Sequence, residues 1–112
     1  MQTADQFVSH LKDKLLDLKS RHGDDIHLLS AAGEHVVATV PSSAQFQQFK
    51  DYAADDRKRT RALETLTRAC VVYPDAVAMD VLLERRPGLA TSFGSKLVEL
   101  AGAVEDVEAK KL

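Results

Sequence analysis

Four histidines, one cysteine, two adjacent aspartate pairs and a short cationic run are the residues of this chain with chemistry to offer. His27 and His35 fall in a segment rich in β-branched residues and can share one face of a hairpin at diagonal positions, the beginning of a metal site. A metal needs three or four convergent ligands with supporting hydrogen bonds, and no Cys, Asp or Glu is placed to complete that set. They are therefore read as exposed strand histidines, and neither metal nor cofactor is expected. His10 and His22 fall on the polar side or at the C-terminal end of the first helix, where a cation suits the helix dipole.

Cys70 with His27 or His35 as base would make a thiol nucleophile. Its place in the stripe Leu63, Leu66, Cys70 reads instead as a buried small hydrophobe, because a reactive thiolate wants an exposed electropositive setting. Asp24-Asp25 and Asp55-Asp56 stand at predicted turns and helix starts, where adjacent acids act as solvated caps. Acid–base catalysis needs residues brought from separate elements to one pocket. Gly88 and Gly94-Ser95-Lys96 resemble a phosphate loop only superficially: the glycines are one residue too far apart, the final letters are out of order and no strand precedes them. No catalytic residue is named, and an enzyme is not expected.

Arg57-Lys58-Arg59-Thr60-Arg61 is the strongest charge run. Arg57, Lys58, Arg59 and Arg61 could grip a phosphate backbone, which makes a small nucleic-acid-binding regulator the alternative function. Asp55-Asp56 partly cancel the run, no aromatic residue is interleaved, and the glycine-containing turn of a helix-turn-helix is missing. A solvated helix start is the preferred reading.

These residues sit in a chain of 112 with net charge −2, from 15 basic and 17 acidic side chains. That balance gives no overall cationic field for nucleic acid. The length suits one domain, residues 1–112, burying about two-thirds of the surface of the unfolded chain. No apolar run approaches the ~18 residues that span a bilayer, so no membrane partner is expected. With a single cysteine and no secretory signal pattern at Met1-Gln2-Thr3, a reducing, cytoplasmic setting is expected.

The elements follow from periodicity. Thr3 and Gln6 form a capping-box pattern, and Phe7, Leu11, Leu15 and Leu18 then predict one amphipathic helix from about Ala4 to Arg21, ended by Gly23. Ile26 to Ser30 and His35 to Val40 predict a β-hairpin with a three-residue loop, Ala31-Ala32-Gly33, pairing 30 with 34 and 28 with 36. That register collects Ile26, Leu28, Val36, Ala38 and Val40 on one face and His27, Leu29, His35, Val37 and Thr39 on the other. Pro41-Ser42-Ser43 opens a second helix, from about Ser43 to Ala54. A third starts at Asp55-Asp56 and buries Leu63, Leu66, Cys70 and Tyr73 before Pro74 stops it. Asp75 caps a fourth with Val77, Met79, Leu82 and Leu83, and Pro87-Gly88 breaks it. The fifth repeats Leu89, Phe93, Leu97, Leu100 and Val104, and residues 104–112 are expected to fray. The expected class is α+β, mostly helical: about five helices with one β-hairpin between helix 1 and helix 2.

In outline, the order of parts resembles the small tail assembly chaperones of long-tailed bacteriophages. The likeness rests on Pro41-Ser42 with Phe46 and Phe49, on Cys70-Val71-Val72-Tyr73-Pro74, and on Leu82-Leu83 followed by Pro87-Gly88-Leu89. It implies a non-enzymatic helper in the host cytoplasm that coats a long helical tape-measure protein and leaves as tail-tube subunits polymerise. A coat of many copies masks an insoluble helix by multivalent contact. Phe93, Leu97 and Leu100 on the fifth helix, with Val37 and Thr39 at the hairpin edge, are the expected partner contacts. The apolar surface on these elements also makes self-association a candidate property.

Overall fold

A computed structural model describes residues 2–102 and 109–111. Its first helical stretch is divided in two, α1 (Ala4–His10) and α2 (Lys12–His22), in place of the single helix expected from the apolar spacing. The capping box is made in full: Thr3 Oγ1 accepts from the Gln6 N–H and Gln6 Oε1 accepts from the Thr3 N–H. The division falls at Leu11, whose N–H is shared between the carbonyls of Phe7 and Val8, tightening the turn. Leu11 and Leu18 are both buried, so the bend is set by packing and not by a proline or glycine. Gly23, at φ +82°, ends α2 with its N–H on the Lys19 carbonyl.

The hairpin is β1 (Ile26–Ala31) and β2 (Glu34–Thr39), joined by two residues and not three. Ala32 and Gly33 both have positive φ, +53° and +77°, the type I′ turn whose twist matches the strands it joins. The pairs are therefore Ser30 with His35, Leu29 with Val36 and Leu28 with Val37, one residue away from the expected register. The expectation had assumed a sheet buried on one side only. Here Val36, Val37 and Ala38 are all buried, because β2 is central and covered on both faces.

A third strand, β3 (Val71–Tyr73), pairs antiparallel with β2, with a register shift at Val37/Ala38, giving the order β1-β2-β3. Tyr73 was expected to continue a helix; Val71-Val72-Tyr73 is instead a β-branched and aromatic triplet that completes the sheet.

The remaining helices are α3 (Ser43–Ala54), α4 (Ala62–Cys70), α5 (Ala76–Arg85) and α6 (Gly88–Leu100), with a 3₁₀ turn at Arg59–Arg61 before α4. Ser42 caps α3 in a second capping box with Gln45, and Asp75 caps α5 by accepting from the Ala78 N–H. Asp55 does not cap the next helix: its carboxylate accepts from the Arg57 N–H in a local turn, and α4 begins only at Ala62. The expected fold class is thus corrected. Among the described residues there are six helices and a three-stranded antiparallel sheet, and the hairpin lies between the second and third helices.

The alternation of the strands sorts two cores. Leu29, Val36 and Ala38 point to the larger one, with Leu66, Cys70, Met79, Leu82, Leu83, Leu89, Phe93 and Leu97 from α4, α5 and α6. Val37 points the other way, to Leu11 and Leu18, with Phe7, Ile26, Val72 and Tyr73 packed against them. The sheet is therefore the middle of three layers.

Candidate functional site

An apolar groove runs between the α1–α2 layer and β1, with a volume of about 220 Å³. Its helical wall is Phe7, Val8, Leu11 and Leu15, with Lys19 at one end; its floor is Ile26, Leu28 and Val37, with His27 beside them. Two of its apolar side chains stay open to solvent: Val8 is 41% exposed and Leu28 37%. The groove exists because α1 and α2 bury Leu11 and Leu18 against the centre of the sheet and leave the outer strand only partly covered.

β1 is also an edge. In a two-residue hairpin the pair flanking the turn exchanges both hydrogen bonds, so Ala31, Leu29 and His27 spend their backbone groups on β2. Ile26, Leu28 and Ser30 direct theirs outward, and among the described residues no strand lies there. Another apolar patch lies at Val77 and Val81 on the outer side of α5, one helical turn apart and both exposed.

All but one of the partner contacts expected from sequence lie outside this groove. Phe93 and Leu97 are 2% and 0% exposed and belong to the larger core, while Val37 is buried beneath α1–α2. Thr39 is half-buried, its hydroxyl donating to the Cys70 carbonyl, and Leu100 packs partly against the larger core. Val104 lies outside the described residues. Of the expected set only Val37 lines the groove, and Val8 and Leu28, its open apolar side chains, were not singled out. The three-residue loop sets Leu28 with Val36 and Ala38; the type I′ turn at Ala32-Gly33 pairs it with Val37 instead, on the α1–α2 side of the sheet.

The cationic run is divided among local tasks. Arg59 donates to the Asp56 carboxylate at 2.8 Å and to the Ala53 carbonyl, and the Lys58 ammonium sits 4.9 Å from the centre of the Tyr52 ring. Arg57 and Arg61 remain exposed. The two strand histidines do not share a face. His27 bonds the Asp25 carboxylate, whereas His35, on the opposite side of the sheet, accepts from the Ser30 hydroxyl and donates to the Gln2 carbonyl. His35 also stacks at a tilt on Phe7, so it fastens the start of α1 to the hairpin. Glu34 on the other face receives Arg85 at 2.9 Å and Arg86 at 3.6 Å. Among the described residues no three His, Cys, Asp or Glu side chains are grouped to hold a metal.

Cys70 is fully buried, and desolvation pushes its thiol up from 9.0 to about 11. Its Sγ points at Gln45 Oε1, 3.6 Å away, the same oxygen that closes the α3 capping box. This is a packed thiol held in its neutral form.

No described helix is long and apolar enough to cross a membrane. A family model described as a domain of unknown function, DUF6848, matches residues 33–110. That span begins at the hairpin turn, so α1, α2 and β1, which wall the groove, precede it. A solved structure of an uncharacterised protein from Bacillus stearothermophilus is similar in fold, with a TM-score of 0.72 and 22% identity over 86% of this chain and 99% of that one. No curated protein matches the sequence.

Proposed function

We propose that this chain, which belongs to the DUF6848 family, is a phage tail assembly chaperone that binds and solubilises a tape-measure protein by non-covalent contact in the host cytoplasm. The observation that carries the reading is the open apolar groove between α1–α2 and β1. The order of motifs at Pro41 to Phe49, Cys70 to Pro74 and Leu82 to Leu89 adds the resemblance to that class of helper.

The physical logic is one of weak, repeated contact. An amphipathic helix offers apolar residues at intervals of three and four, and a groove with Val8, Leu15 and Leu28 at its rim takes one or two of them at a time. Each contact removes little apolar area, so one copy binds loosely; many copies along a long helix hold it collectively. Loose individual contacts also let the coat be displaced when tail-tube subunits assemble.

The test is a tagged pulldown from nuclease-treated lysate of the native host during particle production, at moderate salt. The reading requires one very long helical protein, recovered with many copies of the bait, and its loss with Val8→Glu. A salt-sensitive capture of nucleic acid in untreated lysate, abolished by Arg57→Ala with Arg61→Ala, would replace it with the regulator.

A further inference from the structure

The two edges of the sheet are built differently. β3 is three residues long, carries a register shift against β2 and runs straight into Pro74, all features that prevent another strand from adding to an edge. β1 has none of them. It is six residues long, pairs with β2 without interruption, and its sequence Ile-His-Leu-Leu-Ser-Ala contains no proline, lysine or acid. A long, regular, uncharged edge beside one that is blunted marks the first as the place where a strand is meant to pair.

From this we infer that two copies of the chain join through β1, edge to edge and antiparallel, into one six-stranded sheet. The occupant is specified by self-complementarity. Backbone groups point outward at Ile26, Leu28 and Ser30, and an antiparallel partner must offer its own outward residues opposite them. The register with most overlap sets Leu28 opposite Leu28 of the second copy and Ile26 opposite Ser30, the isologous contact of a two-fold dimer. No like charges meet in it: Asp24 and Asp25, the acids next to the strand, fall opposite Ala32 and Ala31 of the other copy. The pairing also brings the exposed Leu28 side chains together and sets the two apolar grooves on the same face, one on each side of the two-fold axis. The dimer stands whatever the grooves bind.

The full chain is tested by sedimentation equilibrium at micromolar concentration, together with three variants. Wild type is expected at the mass of two chains. Leu28→Lys, which sets two ammonium groups against each other at the two-fold, is expected at the mass of one chain with an unchanged helical circular dichroism spectrum. Leu28→Cys is expected to cross-link to a covalent dimer under mild oxidation, since the native Cys70 is buried, whereas the exposed Val81→Cys is not. The Leu28→Cys arm reads the contact directly and does not depend on Leu28→Lys folding. A wild type at the mass of one chain, or a dimer in which Leu28→Cys cross-links no faster than Val81→Cys, overturns the inference.

Discussion

Gly94 on α6 meets Leu63 on α4 so closely that a Cβ built on the glycine would lie 2.8 Å from both the Cβ and the carbonyl oxygen of Leu63. Since the obstruction is partly backbone, it cannot rotate aside. This crossing seats Phe93 and Leu97 in the larger core. Gly94→Ala is therefore expected to force the helices apart and cost about 1–3 kcal/mol, as overpacking of a tight core does. Thermal melting of the variant, lowered by roughly 4–8 °C per kcal/mol for a domain of this size, is the measurement.

One turn along the same crossing, Thr67 is the buried polar residue of the core, with its hydroxyl 2.8 Å from the Leu63 carbonyl and 3.2 Å from the Ala90 carbonyl. Thr67→Val keeps the shape and removes the hydroxyl. A loss of about 0.5–1.5 kcal/mol is expected in urea unfolding, the net worth of a buried hydrogen bond. The slope against urea should stay unchanged, because the surface exposed on unfolding is the same.

Ala32 holds a left-handed conformation at φ +53° that costs a residue with a Cβ about 1 kcal/mol and suits asparagine. Ala32→Asn would turn the loop into Asn-Gly and is expected to raise the melting temperature by a few degrees. A lowered melting temperature would count against the two-residue turn.

Where local chemistry decides, the fold was readable in the residues. Ser42 with Gln45 marks the start of α3, and Asp75 that of α5, because a cap is a bond between near neighbours. Tertiary packing decided the rest. Nothing near Leu11 signals a bend, since its cause is the sheet beneath it. The hairpin register departs from the expected one because segregating apolar side chains to one face is the right rule only for a sheet with one wet side. Tyr73 follows Leu66 and Cys70 at helical spacing, so the period hid a strand that Val71-Val72-Tyr73 signalled by residue type. Phe93 and Leu97 are buried for a related reason: they form a clean apolar seam, but Gly94 between them is what lets α4 cover it. The groove was less legible still, for Val8 and Leu28 are ordinary residues whose exposure depends on the bend and the register together.

Cys70 supplies a pH dependence. Its thiol is raised by burial from 9.0 to about 11, so above pH 9 the unfolded chain gives up a proton that the folded chain retains. The unfolded state then binds fewer protons, and stability falls as pH rises. The contribution is intact below pH 9 and is lost progressively between 9 and about 11. Urea midpoints for wild type and Cys70→Ala measured across this range should converge as pH rises. A thiol reagent at pH 8 should leave the folded chain unmodified and label it once urea unfolds it.

The groove's role is tested most directly by co-expressing the chain with the tape-measure protein of the same particle and measuring how much of that protein stays in the supernatant. Wild type is expected to keep it soluble, and Val8→Glu, a change at an exposed position of the groove wall, to leave most of it in the pellet while itself remaining folded. A tape-measure protein equally insoluble with and without the chain, or equally soluble with wild type and Val8→Glu, would contradict the proposal that this groove is the chaperone surface.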